Sequence, residues 1–205
     1  MWPDSDQTQE LLRGAQQGDS AAVGQLLDRH REALRQMVRL RLDRKLAQRV
    51  DASDVVQDVL LEASRRLTRY LDDPKMPFHL WLRHLAKDHM IDAHRKHRVA
   101  ERRSVDREQP MHRLGTGDQS SLDLAAQLRD QELTPAAATI RRELQERFLA
   151  ALDELDEDDR EIMLMRHIEQ LSNSEVAQAL DLSQPAAGMR YVRALRRLRT
   201  VLGGS

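Results

Sequence analysis

The sequence has no cysteine, few aromatic residues and no long apolar run. The absence of cysteine excludes disulfides and thiolate metal sites, and it fits a reducing cytoplasm. No apolar run approaches the roughly 20 residues that a membrane-spanning helix needs. Residues 1–9 are polar and acidic, unlike a signal peptide. These absences predict a cytoplasmic protein without membrane insertion.

Aromatic side chains make up 3% of the 205 residues, whereas charged side chains make up 33%. Leu, Ala, Arg, Glu, Asp and Gln dominate instead, and straight-chain residues lose little rotamer freedom in a helix. With so few rings, the core must be built from aliphatic side chains, which favours thin helical bundles over one thick globule. We therefore predict an all-α fold.

Helical spacing of apolar residues divides the chain into two regions. It holds through residues 10–103 and returns beyond Ala136. Between these regions stand the helix breakers Pro110, Gly115, Gly117, Ser120, Ser121 and Pro135. We expect an N-terminal tail at 1–9, a small helical domain at 10–103, a flexible linker at 104–139 and a second small helical domain at 140–205.

The C-terminal region has the pattern of a helix-turn-helix. Ser172 followed by Glu175 is a capping box that opens a short helix. Asp181-Leu182-Ser183 makes the turn, with Ser183 as the N-cap of a second helix and Pro185 in its first turn. Two capped helices on either side of a three-residue turn indicate a DNA-binding module.

The second helix of this module carries its apolar and basic residues on different faces. At 100° per residue, one face collects Ala187, Tyr191, Ala194, Leu195, Leu198 and Leu202. A neighbouring stripe consists of Arg190, Arg193 and Arg197, and residues 184–200 contain five arginines and no acid. Arginine can pair with guanine edges or hold phosphates. A solvated basic helix is the alternative, and the helix-turn-helix pattern favours DNA binding over it.

Just upstream, residues 153–161 contain seven acids and one arginine. Such a run could bind metal, but its sequential carboxylates point around the whole circumference of a helix. A solvated first helical turn, stabilised by the helix dipole, is the better interpretation.

The N-terminal region has an acidic segment of its own. Asp51, Asp54 and Asp58 line one helix face, and Asp51 is a predicted N-cap. Paired carboxylates can support hydrolysis or a metal site, but no nucleophile and no glycine-rich phosphate loop accompanies them. An acidic surface that docks on another protein is therefore the preferred interpretation.

A basic segment follows in the same region. Phe78-x-x-Trp81-Leu82 leads towards residues 95–107, which contain six basic and two acidic side chains. This excess favours a nucleic-acid surface over the start of a basic linker. Histidines recur every five residues, at His79, His84, His89 and His94. Because successive ones point about 140° apart on a helix, they cannot share a metal ion, and we predict neither a metal nor a cofactor.

Three segments, in this order, resemble the extracytoplasmic-function sigma factors, the minimal group of bacterial sigma subunits. Residues 51–58 read Asp-Ala-Ser-Asp-Val-Val-Gln-Asp, similar to the family's D-A-E-D-L-V-Q-E. Residues 77–95 follow the family's P-F-x-x-W-L-x-x-I-A-x-N-x-x-x-D-x-x-R. Residues 171–177 and 182–194 resemble the region-4 helix-turn-helix. The resemblance covers both domains, a region-2 bundle and a region-4 helix-turn-helix.

The resemblance implies a subunit that is not an enzyme. It would bind core RNA polymerase and direct promoter recognition, DNA opening and transcription initiation, with an anti-sigma factor as a further partner. Docking on the clamp helices of the largest polymerase subunit falls to Asp51, Asp54, Gln57 and Asp58. Contacts with the minus-ten element fall to Lys87, Asp88, Asp92, Arg95, Lys96 and Arg98. Contacts with the minus-thirty-five element fall to Ser183, Gln184, Ala187, Arg190, Arg193 and Arg197.

Three positions depart from the family pattern. Asp88 stands where the family usually has Asn, Ala187 where Val is common, and Gly188 where a basic residue is common. The alternative function is a free-standing helix-turn-helix regulator that acts without polymerase. Such regulators usually dimerise on paired half-sites, and the acidic Asp54 face and the long linker argue against one. A histidine-rich metal hydrolase is disfavoured by the histidine spacing.

Overall fold

The computed structural model describes residues 1–3, 5–42, 50–104 and 135–203. Within these ranges every regular element is a helix, which confirms the predicted all-α fold. The chain divides into two compact units, Met1–Met111 and His112–Ser205. Most of the predicted linker lies outside the described residues. No described helix is both long and apolar enough to cross a membrane.

The N-terminal unit is a bundle of four described helices. They are α1 (Ser5–Gln16), α2 (Ser20–Arg39), α3 (Ala52–Asp72) and α4 (Phe78–Ser104). Between α1 and α2, Gly18 adopts a φ of 83°, which glycine reaches without steric cost. The carboxylate of Asp19 then caps α2 by accepting a hydrogen bond from the backbone N–H of Ala21 at 2.8 Å.

The residues predicted to form an N-terminal tail are part of this bundle. Helix α1 begins at Ser5, and Thr8 is buried. Trp2 packs against the core as well, with its ring centroid 6.0 Å from that of His30. The polar composition of residues 1–9 predicted a tail, whereas the packing of Trp2 and the burial of Thr8 anchor this segment to the bundle.

Aliphatic side chains fill most of the N-terminal core, as the shortage of rings requires. They include Leu26, Leu34, Val38, Val55, Val56, Val59, Ala63, Leu82 and Ala86. Four of the chain's six aromatic residues gather at one end of this core. There Trp81 stacks on Tyr70 at 4.7 Å between centroids, and Phe78 contacts both. Trp81 is partly buried against this core.

The C-terminal unit contains α5 (Pro135–Asp153), α6 (Glu157–Met163), a π-helical turn (Leu164–Ile168), α7 (Asn173–Ala179) and α8 (Gln184–Gly203). Helix α5 begins inside the range that was assigned to the linker. The predicted capping box of α7 is present, since Ser172 and Glu175 bond reciprocally to each other's backbone N–H. Asp181, in the predicted turn, has a φ of 53°, a left-handed backbone that ends α7 and starts the turn towards α8.

Candidate polymerase and nucleic-acid interfaces

Helix α3 presents the acidic surface predicted for protein docking. Asp51 is its N-cap, and its carboxylate accepts a hydrogen bond from the backbone N–H of Ser53 at 2.8 Å. Asp54, Gln57 and Asp58 are exposed. They are held outward because the opposite face of α3 is buried against the rest of the bundle. Its core side chains are Val55, Val56, Val59, Leu60, Ala63 and Leu67.

This acidic surface has an apolar centre that the sequence analysis missed. Leu61 is 51% exposed, and it lies seven residues after Asp54 and four after Gln57, on the same side of the helix. A solvent-exposed leucine surrounded by polar side chains is typical of a protein interface, which has an apolar centre and a polar rim. The seven-residue spacing between Asp54 and Leu61 could have placed Leu61 on this surface from the sequence alone. We call Asp54, Gln57, Asp58 and Leu61 the α3 face.

Helix α4 presents the surface predicted for the minus-ten element. Lys87, Asp88, Asp92, Arg95 and Lys96 are all exposed. One pair of these interacts, since Arg95 lies 3.3 Å from the carboxylate of Asp92. Arg98 lies on the same helix, and its side chain is outside the part that the structure describes.

An exposed isoleucine lies in the middle of this surface. Ile91 is 55% exposed, and it stands four residues after Lys87 and four before Arg95, so it shares their side of α4. Its spacing places Ile91 on this surface, although the sequence motifs predict no role for it. Apolar side chains at a DNA surface can insert between base steps. Together with the polar residues it forms what we call the α4 face.

One histidine of the five-residue series links α4 to α3. Nε2 of His89 lies 2.8 Å from the carboxylate of Glu62, so this contact joins the two helices beside the α4 face. Glu62 also pairs with Arg66. Among the residues that the structure describes, no group of three or more histidine, aspartate or glutamate side chains could hold a metal ion.

The N-terminus of α8 is fixed by two side chains. The hydroxyl of Ser183 accepts a hydrogen bond from the backbone N–H of Ala186 at 3.3 Å, which confirms the predicted N-cap. The amide of Asn173 at the start of α7 donates to the carbonyl of Gln184 at 2.9 Å. These bonds join the two helices of the helix-turn-helix and leave the side chains of Ser183 and Gln184 exposed.

Two predictions for α8 are wrong in this structure. Ala187, assigned to DNA contact, is fully buried, so it supports the helix and cannot reach a groove. Leu195, assigned to the core face, is 42% exposed, and Leu202 is exposed as well. The apolar face predicted from spacing spans about 100°, whereas the short helices of this unit cover only one side of it, at Ala187, Ala194 and Leu198.

The three arginines predicted to face DNA have carboxylate partners inside their own unit. Arg190 lies 3.5 Å from Asp158, and Arg193 lies 3.3 Å from Asp159. Arg197 contacts Asp159 at 2.6 Å and also Asp156. The acidic first turn of α6, predicted to be solvated, is therefore half of an ion-pair network. We call these six residues the acid–arginine cluster.

The centre of this cluster is Asp159, whose side chain is fully buried. The backbone N–H of Asp159 donates to Asp156, and this bond, followed by Arg197, holds the pKa of the Asp156 carboxyl below its usual range. Asp159 first, and then Asp156, raises the pKa of Arg197. If the buried Asp159 carboxylate lost its contacts with Arg193 and Arg197, the unit would lose roughly 1–3 kcal/mol of stability. An exposed ion pair typically contributes about 0.2–1 kcal/mol. The network therefore favours conformations in which Arg193 and Arg197 remain paired with the carboxylates of α6.

Comparisons with known proteins identify the family of both units. The family model described as Sigma-70 region 2 matches residues 26–99, and the model described as Sigma-70, region 4 matches residues 145–198. The chain is 30% identical over 192 residues to RNA polymerase sigma factor CnrH of Cupriavidus metallidurans, covering 94% of this chain and 92% of CnrH. It is 24% identical over 186 residues to the ECF RNA polymerase sigma-E factor of Haemophilus influenzae, covering 91% and 90%.

A solved structure matches the fold as well. It contains CnrH in complex with the cytosolic domain of CnrY, and it superposes with a TM-score of 0.61 at 27% sequence identity. The match covers 98% of this chain and 99% of the CnrH chain. The likeness in sequence and in fold therefore extends over both units.

Proposed function

Because the chain belongs to the sigma-70 family of RNA polymerase sigma factors, in its extracytoplasmic-function group, we propose that its exposed helix faces divide the work of promoter recognition. The protein is a sigma factor that binds core RNA polymerase and directs transcription initiation. Sigma factors are initiation factors and not enzymes. The observation that carries the assignment is the ordered match to regions 2 and 4. Nothing in either unit favours a free-standing regulator.

The α3 face is our proposed contact with core polymerase. Asp54 and Asp58 offer negative charge, Gln57 offers hydrogen bonds, and Leu61 offers apolar area, all exposed on one side of one helix. Asp51 contributes by capping the helix that carries them. The partner surface should be basic around an apolar centre, and we propose the clamp helices of the largest subunit.

The α4 face is our proposed contact with the minus-ten element. Lys87, Arg95, Lys96 and Arg98 supply charge for the DNA backbone. Asp88 and Asp92 can only accept hydrogen bonds, so they suit amino groups of bases and not phosphates. Ile91 can enter between bases as the duplex opens. Tyr70 and Phe78 are buried, and Trp2 and Trp81 pack against the core, so we expect the rings of this unit to contribute little to stacking on bases.

Helix α8 is our proposed contact with the minus-thirty-five element, beginning with Ser183 and Gln184 at its exposed N-terminus. The assignment of Arg190, Arg193 and Arg197 to DNA stays a prediction, and their internal carboxylates weigh against it. A linking role for the segment between the two units also stays a proposal, as does action in the cytoplasm beside polymerase.

We extend the proposal to a protein partner besides polymerase. CnrH was solved in complex with a second protein, the cytosolic domain of CnrY. By analogy, an anti-sigma factor would bind this chain and compete with polymerase or promoter for the same faces.

Run-off transcription tests the proposed function. Purified chain is added to core polymerase on genomic fragments of its own organism, and the 5′ ends of the transcripts are mapped. We expect start sites that share upstream elements and that depend on the added chain. Core polymerase without the chain is the control. Equal transcription in both reactions, together with no co-purification of chain and core, would overturn the function.

A further inference from the structure

Helix α8 carries two sets of arginines with different surroundings. Arg193 and Arg197 are engaged by Asp159 in the acid–arginine cluster. Arg196 and Arg199 are exposed and have no ion-pair partner within the part of the chain that the structure describes. The second set was not singled out by the sequence pattern, because all five arginines look alike there.

The free arginines share a side of α8 with exposed apolar residues. Met189, Val192, Arg196 and Arg199 are spaced three and four residues apart, so they form one stripe about half a turn from the buried Ala187. Met189 is 73% exposed and Val192 is 40% exposed. We call these four residues the outward face. It contains no acid, whereas the stripe beside it is lined by the carboxylates of α6.

The acids of α6 decide which stripe suits DNA. Asp156 and Asp158 are exposed beside Arg197 and Arg190. A phosphate brought to those arginines would also meet these carboxylates, and like charges repel. Moving Arg193 and Arg197 onto DNA would leave the buried Asp159 without its cations. Neither penalty applies to the outward face.

We propose that the outward face enters the major groove, and that Arg193 and Arg197 are positioning residues that hold α8 on α6. This inference rests on the proposed function. The N-terminal part of a recognition helix meets the base edges, so Met189 and Val192 lie where apolar side chains contact the methyl group of thymine. Arg196 and Arg199, further along the helix, hold phosphates. The upstream element should therefore contain a thymine whose methyl group meets this face.

The first test is a binding titration of the reconstituted holoenzyme on promoter duplex taken from the mapped start sites, at several salt concentrations. Arg196→Ala and Arg199→Ala should each weaken binding to all sequences and reduce the salt slope by about 1. Arg193→Ala and Arg197→Ala should lower the thermal stability of the chain and leave the salt slope unchanged. Arg197→Lys, which keeps the cation, should restore stability.

The second test replaces each thymine of the upstream element with deoxyuridine, which removes only the methyl group. For wild type, one substitution should weaken binding roughly fourfold, the effect of one buried methyl-sized group. The Met189→Ala variant, or Val192→Ala if that residue makes the contact, should no longer distinguish the two probes. Circular dichroism of each variant shows that it is folded.

The opposite pattern would overturn the inference. Folded Arg193→Ala and Arg197→Ala variants that each lose a unit of salt slope, while Arg196→Ala and Arg199→Ala bind like wild type, would make the cluster arginines the DNA contacts. Indifference of wild type to every deoxyuridine probe would remove the thymine assignment. Wild-type holoenzyme that fails to bind any mapped promoter would instead overturn the proposed function, and this inference with it.

Discussion

Two helical glycines, Gly14 and Gly188, differ in how much space surrounds the position of a Cβ atom. A Cβ at Gly14 in α1 would lie 2.8 Å from the Cβ of Ala22 in α2, so glycine is needed for the close approach of two helices. A Cβ at Gly188 in α8 would have Asn173 as its neighbour at 3.8 Å, an ordinary contact. The same residue type is thus required in one helix and replaceable in the other.

We expect Gly188→Ala to stabilise the C-terminal unit by about 0.5–1 kcal/mol, because alanine loses less backbone entropy in a helix. Gly14→Ala should destabilise the N-terminal unit by about 1–3 kcal/mol through overpacking. Urea unfolding followed by circular dichroism measures both changes. If both alanine substitutions raised the free energy of unfolding, or both lowered it, the distinction between these sites would be contradicted.

His30 is the other residue with a measurable consequence. Its ring is buried, with Nε2 3.3 Å from the Thr8 hydroxyl, and burial, followed by His79 and Arg29, lowers its pKa to about 4. In the unfolded chain, the His30 ring is protonated near its ordinary pKa of 6.5. The free energy of unfolding is therefore unaffected by this residue above pH 6.5, and it decreases as the pH falls from 6.5 towards 4.

We expect acidification from pH 7 to pH 4 to cost the N-terminal unit up to about 3 kcal/mol through this residue. Both tryptophans lie in this unit, so tryptophan fluorescence in urea reports its unfolding. A His30→Gln variant should lose that part of the pH dependence. His84→Gln, at an exposed position, is the control. Equal pH dependence in wild type and His30→Gln would contradict the assignment.

At the scale of elements, α8 carries both apolar and charged groups that hold it in its unit. It buries Ala187, Ala194 and Leu198 on one face. The acid–arginine cluster adds ion pairs to α6 along one flank of the helix. A recognition helix held in this way keeps its opposite side free for another macromolecule.

Asp159→Asn should therefore destabilise the C-terminal unit by about 1–3 kcal/mol, since it removes the buried charge that two arginines share. Asp158→Asn is the matched control on the same turn, because the Asp158 side chain is exposed and pairs with Arg190 at the surface. Its cost should stay below about 1 kcal/mol. Urea unfolding at low and at high salt measures both. Equal losses of stability for the two variants would show that the buried Asp159 contributes no more than the exposed Asp158.

Over the whole molecule, charge is segregated although the net charge is −1. The α3 face is acidic, while α4 and α8 carry most of their exposed charge as arginine and lysine. Patches of opposite sign allow one chain to approach a protein and a nucleic acid with different surfaces. Assembly with polymerase should then respond to charge at the α3 face and not to charge in general.

Asp58→Lys should weaken assembly with core polymerase by tenfold or more, since a like charge at an interface costs several kcal/mol. Asp28→Lys is the matched control, because Asp28 is also exposed, lies on α2 and is not part of the α3 face. The measurement is a titration of labelled chain with core polymerase. If both variants bind like wild type, or both lose equally, core docking does not use this face.

The sequence by itself determined the features that depend on neighbours within one turn of a helix. The N-cap at Asp51, the capping box of Ser172 and Glu175 and the N-cap at Ser183 are local hydrogen bonds, so residue type and spacing were sufficient. The all-α fold and the two domains followed from periodicity in the same way. The family motifs then identified the role of the chain.

Only the tertiary structure decided which of several similar side chains are free. Arg197 and Asp159 are 38 residues apart in the chain, and no pattern of spacing within α8 distinguishes Arg197 from Arg196. The exposure of Leu61 and Ile91 and the burial of Ala187 likewise depend on which neighbouring helix covers each side. The physical reason is that periodicity defines the faces of a helix, whereas long-range packing selects the face that meets solvent or a partner.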